Sequence, residues 1–370
     1  MTFWRGRDSL EEANPPKTAV STSLGEYPTP VFRTSGLVTR DDAELWVKND
    51  GLTHALYGGN KVRKLGPILD RAERNRCGRI ITAGGAGSHH VLATTLFARQ
   101  RGISTAAVLC PQPWTEHAEQ TLRCALAWGL EAIPVGSMAA VPRGVLENWR
   151  SGDLVVPVGG WGIGASRGYA QAAIELSEQI ADGDLPEPDV IVVALGSGGT
   201  AAGLLAGLAH VGLRARVLAT SVAVRGAWLA SQLVLPLAWR IVRSAGWPVQ
   251  YEELKRRLVI DTTRLGAGYG APTRDGAAAI SIGRSIGLEL DPTYTAKAFV
   301  SALALVSTDS DPSRTAVTKL QESLRKTAKQ RPLRVLYWHT LAATSLEPLL
   351  AEGPADPSLS GQLRMLLQGS

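Results

Sequence analysis

The chain has 370 residues, of which 45% are hydrophobic and 19% charged, enough to bury one large core or two moderate ones. Its formal charge is +6, but 39 basic residues are scattered among 33 acidic ones, so nucleic-acid binding is not expected. Three cysteines, Cys77, Cys110 and Cys124, form neither a CxxC motif nor an even disulfide set, which favours a reduced, cytoplasmic setting.

The first informative segment is GGNKVRKL at residues 58–65, where two glycines set a tight turn that leads into a helical pattern. It places Lys61 in the first turn of the helix, where a positive charge opposes the helix dipole unless an anion lies nearby. The same electrostatics would lower the lysine pKa and favour attack on an aldehyde. From spacing alone, the segment is equally consistent with a reactive amine and with an ordinary solvated helix start.

Short runs rich in β-branched residues alternate with longer helical patterns, which predicts parallel sheets covered by helices on both faces. The predicted strands are residues 79–83, 105–109, 131–135, 189–195, 216–221 and 333–339. Glycine-rich loops lie near residues 58, 84, 159, 196 and 268, beside apolar segments. Because open α/β sheets bind ligands at the carboxyl ends of their strands, we expect one active cleft assembled from these distant loops.

The loop GSGGT at residues 196–200 follows a buried strand and precedes a helical pattern, so its amides and the helix dipole favour a phosphate. The pattern G-x-G-x-x-A at residues 196–201 also fits a dinucleotide site, so a nicotinamide or flavin enzyme is a competing interpretation. The acidic residue that binds the ribose is missing, because no Asp or Glu occurs between Asp189 and Glu252. A phosphate monoester is therefore favoured, and an amine combined with a phosphate site indicates pyridoxal phosphate.

An uncharged stretch at residues 190–213 is long enough to raise the question of a membrane span. Four of its residues between 196 and 203 are glycine, and it also contains Ser197, Thr200 and His210. A strand, a loop and a helix explain this composition better, and no association with a membrane is expected.

Several further motifs occur in a specific order along the chain. They are YPTP at residues 27–30, LWVK at 45–48, SHH at 88–90, PVGG at 157–160, GYG at 268–270, LDPTYTAK at 290–297 and WHT at 338–340. Together with GGNKVRKL and GSGGT, they resemble the fold-type II pyridoxal-phosphate enzymes, specifically the D-cysteine desulfhydrase and 1-aminocyclopropane-1-carboxylate deaminase family. The resemblance covers roughly residues 24–345.

The resemblance implies a role for each matching residue. Lys61 matches the lysine that forms the imine with the cofactor and later moves the α-proton, and Lys64 matches a lysine that helps to hold the phosphate. Ser88 matches a hydroxyl near the substrate carboxylate, and Tyr269 and Tyr294 match two tyrosines over the substrate. The other residues implied to contact the cofactor are Asn60, His89, Gly196, Ser197, Gly198, Gly199, Thr200, Thr295 and Thr340. No metal site is expected.

Four features of the sequence bear on the reaction, and the last three of them depart from the family pattern. Thr295 stands where the deaminases have a glutamate at the pyridine nitrogen, as in the desulfhydrases, and an uncharged partner weakens the electron sink. His89 occupies the position of an asparagine that meets the cofactor's phenolic oxygen; a histidine can donate a hydrogen bond there but is bulkier. Trp161 replaces a small polar residue, and Leu341-Ala342 replaces a Gly-Gly pair.

The fold implied is α/β, with two domains related to the tryptophan synthase β subunit, each an open, mainly parallel twisted sheet flanked by helices. We predict a large cofactor-binding domain of residues 1–65 and 166–370, a small domain of residues 66–165, and a cleft between them. A homodimer is expected, and residues 227–242 are a candidate dimer-facing helix.

The leading functional hypothesis is β-elimination from a small amino acid with a leaving group on its β-carbon, which gives a keto acid and ammonia. The alternatives are ring opening of the kind that 1-aminocyclopropane-1-carboxylate deaminases perform, and a divergent member that has altered or lost catalysis and serves as a binding protein. The nicotinamide enzyme stays a third interpretation.

Overall fold

The computed structural model of the chain describes residues 24–38, 40–308, 315–328 and 331–368. Its larger sheet has six strands in the order β1-β2-β10-β7-β8-β9. They are β1 (Val31–Arg33), β2 (Ala43–Asn49), β7 (Val190–Leu195), β8 (Arg216–Ser221), β9 (Leu258–Asp261) and β10 (Leu333–His339). Strand β1 is antiparallel to β2, and every other pairing in this sheet is parallel.

The smaller sheet has four parallel strands in the order β5-β4-β3-β6. They are β3 (Arg79–Gly85), β4 (Ser104–Cys110), β5 (Leu130–Pro134) and β6 (Leu154–Val155). The six strands predicted from the sequence are all present with bounds within two residues of those predicted, which confirms the α/β class. Strands β1, β2, β6 and β9 were not predicted as strands.

Thirteen helices surround the two sheets in the described part of the chain. They are α1 (Asn60–Arg74), α2 (His89–Gln100), α3 (Glu116–Ala127), α4 (Val141–Asn148), α5 (Ile163–Ala181), α6 (Gly199–His210), α7 (Ala227–Ala245), α8 (Tyr251–Arg257), α9 (Arg274–Ser285), α10 (Thr295–Val306), α11 (Thr315–Ala328), α12 (Leu346–Glu352) and α13 (Gly361–Gln368). The apolar stretch at residues 190–213 forms β7, a loop and α6, and no helix in the described ranges is long and apolar enough to cross a bilayer.

Both faces of the six-stranded sheet are buried. In β7, Ile191 and Val193 pack in a cluster with α5, α6 and α7, whereas Val190 and Val192 pack on the opposite face with α9, α10 and α11. Side chains alternate across a strand, so a strand covered on both faces reads as a continuous apolar run rather than an alternating one. This explains why β7 was recognisable from sequence.

The C-terminal helices pack against the four-stranded sheet. Leu346, Leu349 and Leu363 belong to the apolar cluster of α1, α2 and α3. The Trp128 Nε1 donates to the Leu349 carbonyl at 2.8 Å, and the Gln112 amide donates to the Leu366 carbonyl at 3.0 Å. Residues 346–367 therefore pack with the predicted small domain. The domain division itself stays a prediction, and residues 1–23 of it lie outside the described residues.

Candidate active site

A cavity of about 860 Å³ lies between the two sheets, where loops from the carboxyl ends of β3 and β7 meet. This volume is in the upper part of the range for small-molecule sites. Every residue predicted for the site lines it: Asn60, Lys61, Lys64, Ser88, His89, Gly196, Ser197, Gly198, Gly199, Thr200, Tyr269, Tyr294, Thr295 and Thr340. Loops that are distant in sequence thus meet at one cavity, and the role of each residue stays a proposal.

The turn before α1 presents two buried amines to the cavity. Gly59 adopts a φ of 85°, and a Cβ on it would lie 2.7 Å from the Thr340 carbonyl oxygen, so a side chain does not fit there. Burial lowers the pKa of Lys61 to about 8, although the nearby Asp291 carboxylate acts in the opposite direction. Burial also holds the pKa of Lys64 well below its ordinary value, and the charge of Lys61 adds to this effect. The lowered pKa leaves a larger fraction of each amine uncharged and able to attack an electrophile, and an anion brought into the cavity would restore the charge.

The loop before α6 forms a concave turn against Lys64. Gly198 has a φ of 89°, and helix α6 begins at Gly199 with no acidic residue in its first turn. A Cβ on Gly199 would lie 2.8 Å from the Ser166 Oγ and 3.3 Å from the Lys64 Nζ, so these two polar groups face the start of the helix. The buried Ser166 Oγ has no hydrogen-bond partner among the described residues. Free amides, a helix dipole, an amine and an unused hydroxyl make this turn a site for an anion.

Two tyrosines, Tyr269 and Tyr294, also line the cavity. The Tyr269 and Tyr294 hydroxyls are 2.6 Å apart, and the rings meet edge to face. Burial raises the pKa of Tyr269 to about 12 and that of Tyr294 well above its ordinary value. Both hydroxyls therefore keep their protons near neutral pH and can donate hydrogen bonds. Ser88 caps helix α2, where its Oγ accepts from the Val91 amide at 3.5 Å.

The Thr295 hydroxyl is engaged with a buried carboxylate. It donates to the Asp291 Oδ2 at 2.6 Å and accepts from the Asp291 amide at 2.7 Å. The carboxylate also accepts from the Thr293 and Tyr294 amides at the start of α10. Burial alone would raise the pKa of Asp291, but the charge that His89 carries when it is protonated and the hydrogen bonds from Thr295 outweigh it, and the pKa is lowered. Asp291 is thus a fixed negative charge in the cavity wall.

The residues that depart from the family pattern all line the cavity. The Trp161 Nε1 approaches the Leu233 carbonyl at 3.5 Å, which links the loop before α5 to α7. The amide of Ala342 lies beside Gly59, where a Cβ would meet it at 2.9 Å. His89 uses both ring nitrogens, since Nδ1 lies 2.6 Å from the Tyr57 hydroxyl and Nε2 lies 3.0 Å from the His117 Nε2.

Comparison with known proteins decides what this cavity holds. The family model described as pyridoxal-phosphate dependent enzyme matches residues 22–319. The chain belongs to this family. Its match to the family model includes both lysines, the glycine turn and the two tyrosines.

Named relatives of this pyridoxal-phosphate dependent enzyme share about a third of its residues. A D-cysteine desulfhydrase of Klebsiella pneumoniae is 30% identical over 75% of this chain and 85% of its own length. A nocardicin C-9' epimerase of Nocardia uniformis is 31% identical over 90% of this chain and 95% of its own length. The crystal structure of a homologue of 1-aminocyclopropane-1-carboxylate deaminase superposes with a TM-score of 0.69 at 27% identity, covering 89% of this chain and 94% of that one. The predicted fold-type II architecture is thereby confirmed.

The residues present fit pyridoxal phosphate. The anion site at the start of α6 suits its phosphate, and Lys61 supplies the amine that its aldehyde requires. The unused Ser166 Oγ and the buried amine of Lys64 both gain a partner when a phosphate enters. The predicted cofactor is thus consistent with both the family and the geometry.

Four residues that lie in the site or beside it were not predicted from the sequence. Asp291 belongs to the LDPTYTAK motif at residues 290–297. It lies three residues before Tyr294, where a helix begins, and an aspartate at such a position predicts hydrogen bonds to backbone amides. Tyr57 directly precedes the glycine turn, but nothing in the sequence pairs it with His89. Ser166 and His117 carry no local signal, since they reach the site only because α5 and α3 pack beside it.

Proposed function

We propose that the chain catalyses β-elimination from an amino acid with a leaving group on its β-carbon, and that it releases a keto acid and ammonia. The observation that carries this proposal is the buried Lys61 amine, which has a pKa of about 8 in a cavity that also presents an anion site. Such an amine is largely protonated at neutral pH, yet a significant fraction is free to act as a base or nucleophile. The kinship to a D-cysteine desulfhydrase supports the same reaction class.

Each chain residue has a task in this proposal. When bound, pyridoxal phosphate supplies an aldehyde for an amine and a ring that withdraws electrons from the α-carbon. Residues 196–200 and Lys64 hold the phosphate, and the Lys61 Nζ takes the α-proton of the substrate. Ser88 binds the substrate carboxylate, and the protonated Tyr269 and Tyr294 donate hydrogen bonds over the substrate. Thr295, whose hydroxyl donates to Asp291, lies on the pyridine side of the cofactor and is itself uncharged.

The cofactor proposal is tested with absorbance spectra of Lys61→Ala and Lys64→Ala. We expect the wild type to show an imine band that borohydride reduces, and Lys61→Ala to lack it. Lys64→Ala keeps the amine at residue 61, so it should show the same band but need about tenfold more cofactor, since one charge-assisted contact is lost. A wild-type protein without a reducible band would contradict the proposal.

The reaction is tested with a panel of D- and L-amino acids that includes D-cysteine, β-chloroalanine and 1-aminocyclopropane-1-carboxylate. Keto acid and ammonia from the first two compounds alone indicate β-elimination, and release from the third indicates ring opening. Cofactor binding without turnover of any compound in the panel indicates a binding protein that has lost catalysis. The departures at His89, Trp161 and Leu341 motivate this alternative. An imine band also excludes the nicotinamide interpretation.

Epimerisation at the α-carbon is a second candidate. It is supported by the nocardicin C-9' epimerase, which matches 90% of this chain, more than the desulfhydrase does. Both reactions begin with removal of the α-proton, so the same Lys61 serves either. Chiral analysis of the recovered amino acid separates them, because epimerisation produces the opposite enantiomer without ammonia.

We also propose a cytoplasmic homodimer. The three cysteines are free, in keeping with a reducing compartment. At the start of α7, Trp228 is 74% exposed and Leu229 is 52% exposed, and both lie on a helix whose other face is core. Sedimentation analysis of the wild type and of Trp228→Glu tests this surface, with a shift to monomer expected for the variant.

A further inference from the structure

Three side chains form a hydrogen-bonded chain that leads out of the cavity. Tyr57 is buried and His89 half-buried, and both line the cavity, whereas His117 is half-buried on α3 and does not line it. The Tyr57 hydroxyl is 2.6 Å from the His89 Nδ1, and the His89 Nε2 is 3.0 Å from the His117 Nε2. His89 is thus the middle member of a continuous chain from the cavity towards solvent.

The protonation state of His89 gives its two ring nitrogens different hydrogen-bonding roles. Burial, and then the charge of His117, lower the pKa of His89 to about 3, so its ring is neutral near neutral pH. A neutral imidazole has one N–H and one unprotonated nitrogen. Since both nitrogens have a partner here, His89 donates on one side and accepts on the other. Burial raises the pKa of Tyr57, so that hydroxyl also keeps its proton.

We propose that Tyr57, His89 and His117 form a proton relay between the reaction cavity and solvent. The relay rests on the proposed function, because it serves a reaction that begins with proton removal by Lys61 in the same cavity. In this arrangement His89 acts through hydrogen bonds to its two neighbours. It does not need a free nitrogen to contact the cofactor.

For each proton that enters the relay, one proton leaves it. In the outward direction Tyr57 accepts a proton from the cavity and passes its own to the His89 Nδ1. His89 passes its Nε2 proton to the His117 Nε2, and His117 releases its Nδ1 proton to solvent. All three side chains end neutral, with both imidazoles in the other tautomer. Inward transfer of one proton uses these tautomers and restores the first state.

The relay is tested by NMR on the full-length chain labelled with ¹⁵N-histidine, without any need for turnover. The chain has six histidines, so few ring signals must be assigned. We expect one ring proton coupled to both Nε2 atoms of His89 and His117, and a measurable rate of exchange of this proton with solvent that is slow enough for the coupling to be resolved. Absence of that bridging proton would overturn the relay.

His117→Gln separates a relay from a structural contact, because glutamine can hydrogen-bond His89 but cannot pass a proton onward. We expect the exchange of the His89 ring proton to slow about hundredfold in this variant, the scale of lost acid–base assistance. His210→Gln is the matched control, since His210 stacks on Trp247 away from the cavity, and should leave exchange unchanged. Unchanged exchange in His117→Gln would refute the proposal.

Chemical rescue provides a second, independent measurement. In His117→Ala, added imidazole should restore the exchange rate, whereas pyrrole, which has a similar shape but no basic nitrogen, should fill the space without restoring the rate. Failure of the proposed function is recognised separately, as the absence of keto acid and ammonia in the amino-acid panel with the wild type. The exchange measurement does not depend on turnover, so either idea can fail alone.

Discussion

The Lys61 amine has a pKa of about 8, and the pH dependence of cofactor capture follows from that value. The neutral amine attacks the aldehyde, so the capture rate of the apoprotein should rise about tenfold per pH unit below pH 8 and level off above it. An ordinary exposed lysine would continue to gain rate well above this pH. Stopped-flow absorbance between acidic and alkaline pH measures the profile, and a rate still rising steeply beyond the expected plateau would contradict a depressed pKa.

At the scale of elements, the turn between β7 and α6 depends on a left-handed backbone at Gly198. Its φ is 89°, and a Cβ there would lie 2.8 Å from the Leu233 carbonyl oxygen. We expect Gly198→Ala to shift the turn and to weaken cofactor affinity by at least about tenfold, since left-handed geometry costs roughly 1–2 kcal/mol before the clash is added. Titration of the imine band measures this affinity.

Gly212 provides the matched control at the other end of α6. Its φ is 74°, but a Cβ at this position would have no other atom within 4 Å. Gly212→Ala carries the left-handed cost without a clash, so it should lower the melting temperature less than Gly198→Ala does and leave cofactor affinity unchanged. Equal loss of affinity in both variants would show that general destabilisation, rather than the turn, is responsible.

On the scale of the whole molecule, a buried ionic network attaches α1 to the six-stranded sheet. Arg63, two residues after Lys61, pairs with Asp50 and Glu175 at 2.8 Å each. The Asp50 carboxylate also accepts from the Tyr169 hydroxyl at 2.6 Å and from the Trp338 Nε1 at 2.7 Å. The network therefore joins α1, α5 and β10, and it holds the helix that carries both active-site lysines.

Removal of one member of this network should be costly. Asp50→Ala leaves the Arg63 guanidinium buried with less compensation, and the free energy of unfolding should fall by about 3–5 kcal/mol. Glu147→Ala breaks the exposed pair with Arg143, so no measurable change in the free energy of unfolding is expected. Chemical denaturation measures both, and comparable losses in the two variants would refute the special role of the buried network.

The features predicted correctly from sequence are those with a local physical cause. Strands covered on both faces read as apolar runs, and the glycines at residues 59 and 198 mark backbone that other residues rarely adopt. Strand β6 has only two residues and strand β1 only three, too few for a periodic pattern. The packing of the C-terminal helices on the smaller sheet was not predicted, because amphipathicity indicates that a helix packs, but not on which partner.

By itself the sequence determined the α/β alternation, the glycine turns before α1 and α6, and the resemblance to the family. Only the tertiary structure decided the partners of the site: Ser166 beside the turn at residues 196–200, Asp291 holding Thr295, and His89 between Tyr57 and His117. The reason is physical. A turn or a strand depends on neighbours a few residues away, whereas a buried polar side chain takes its partner from whichever segment packs against it. Asn60, for example, donates to the Thr200 hydroxyl, which lies 140 residues away along the chain.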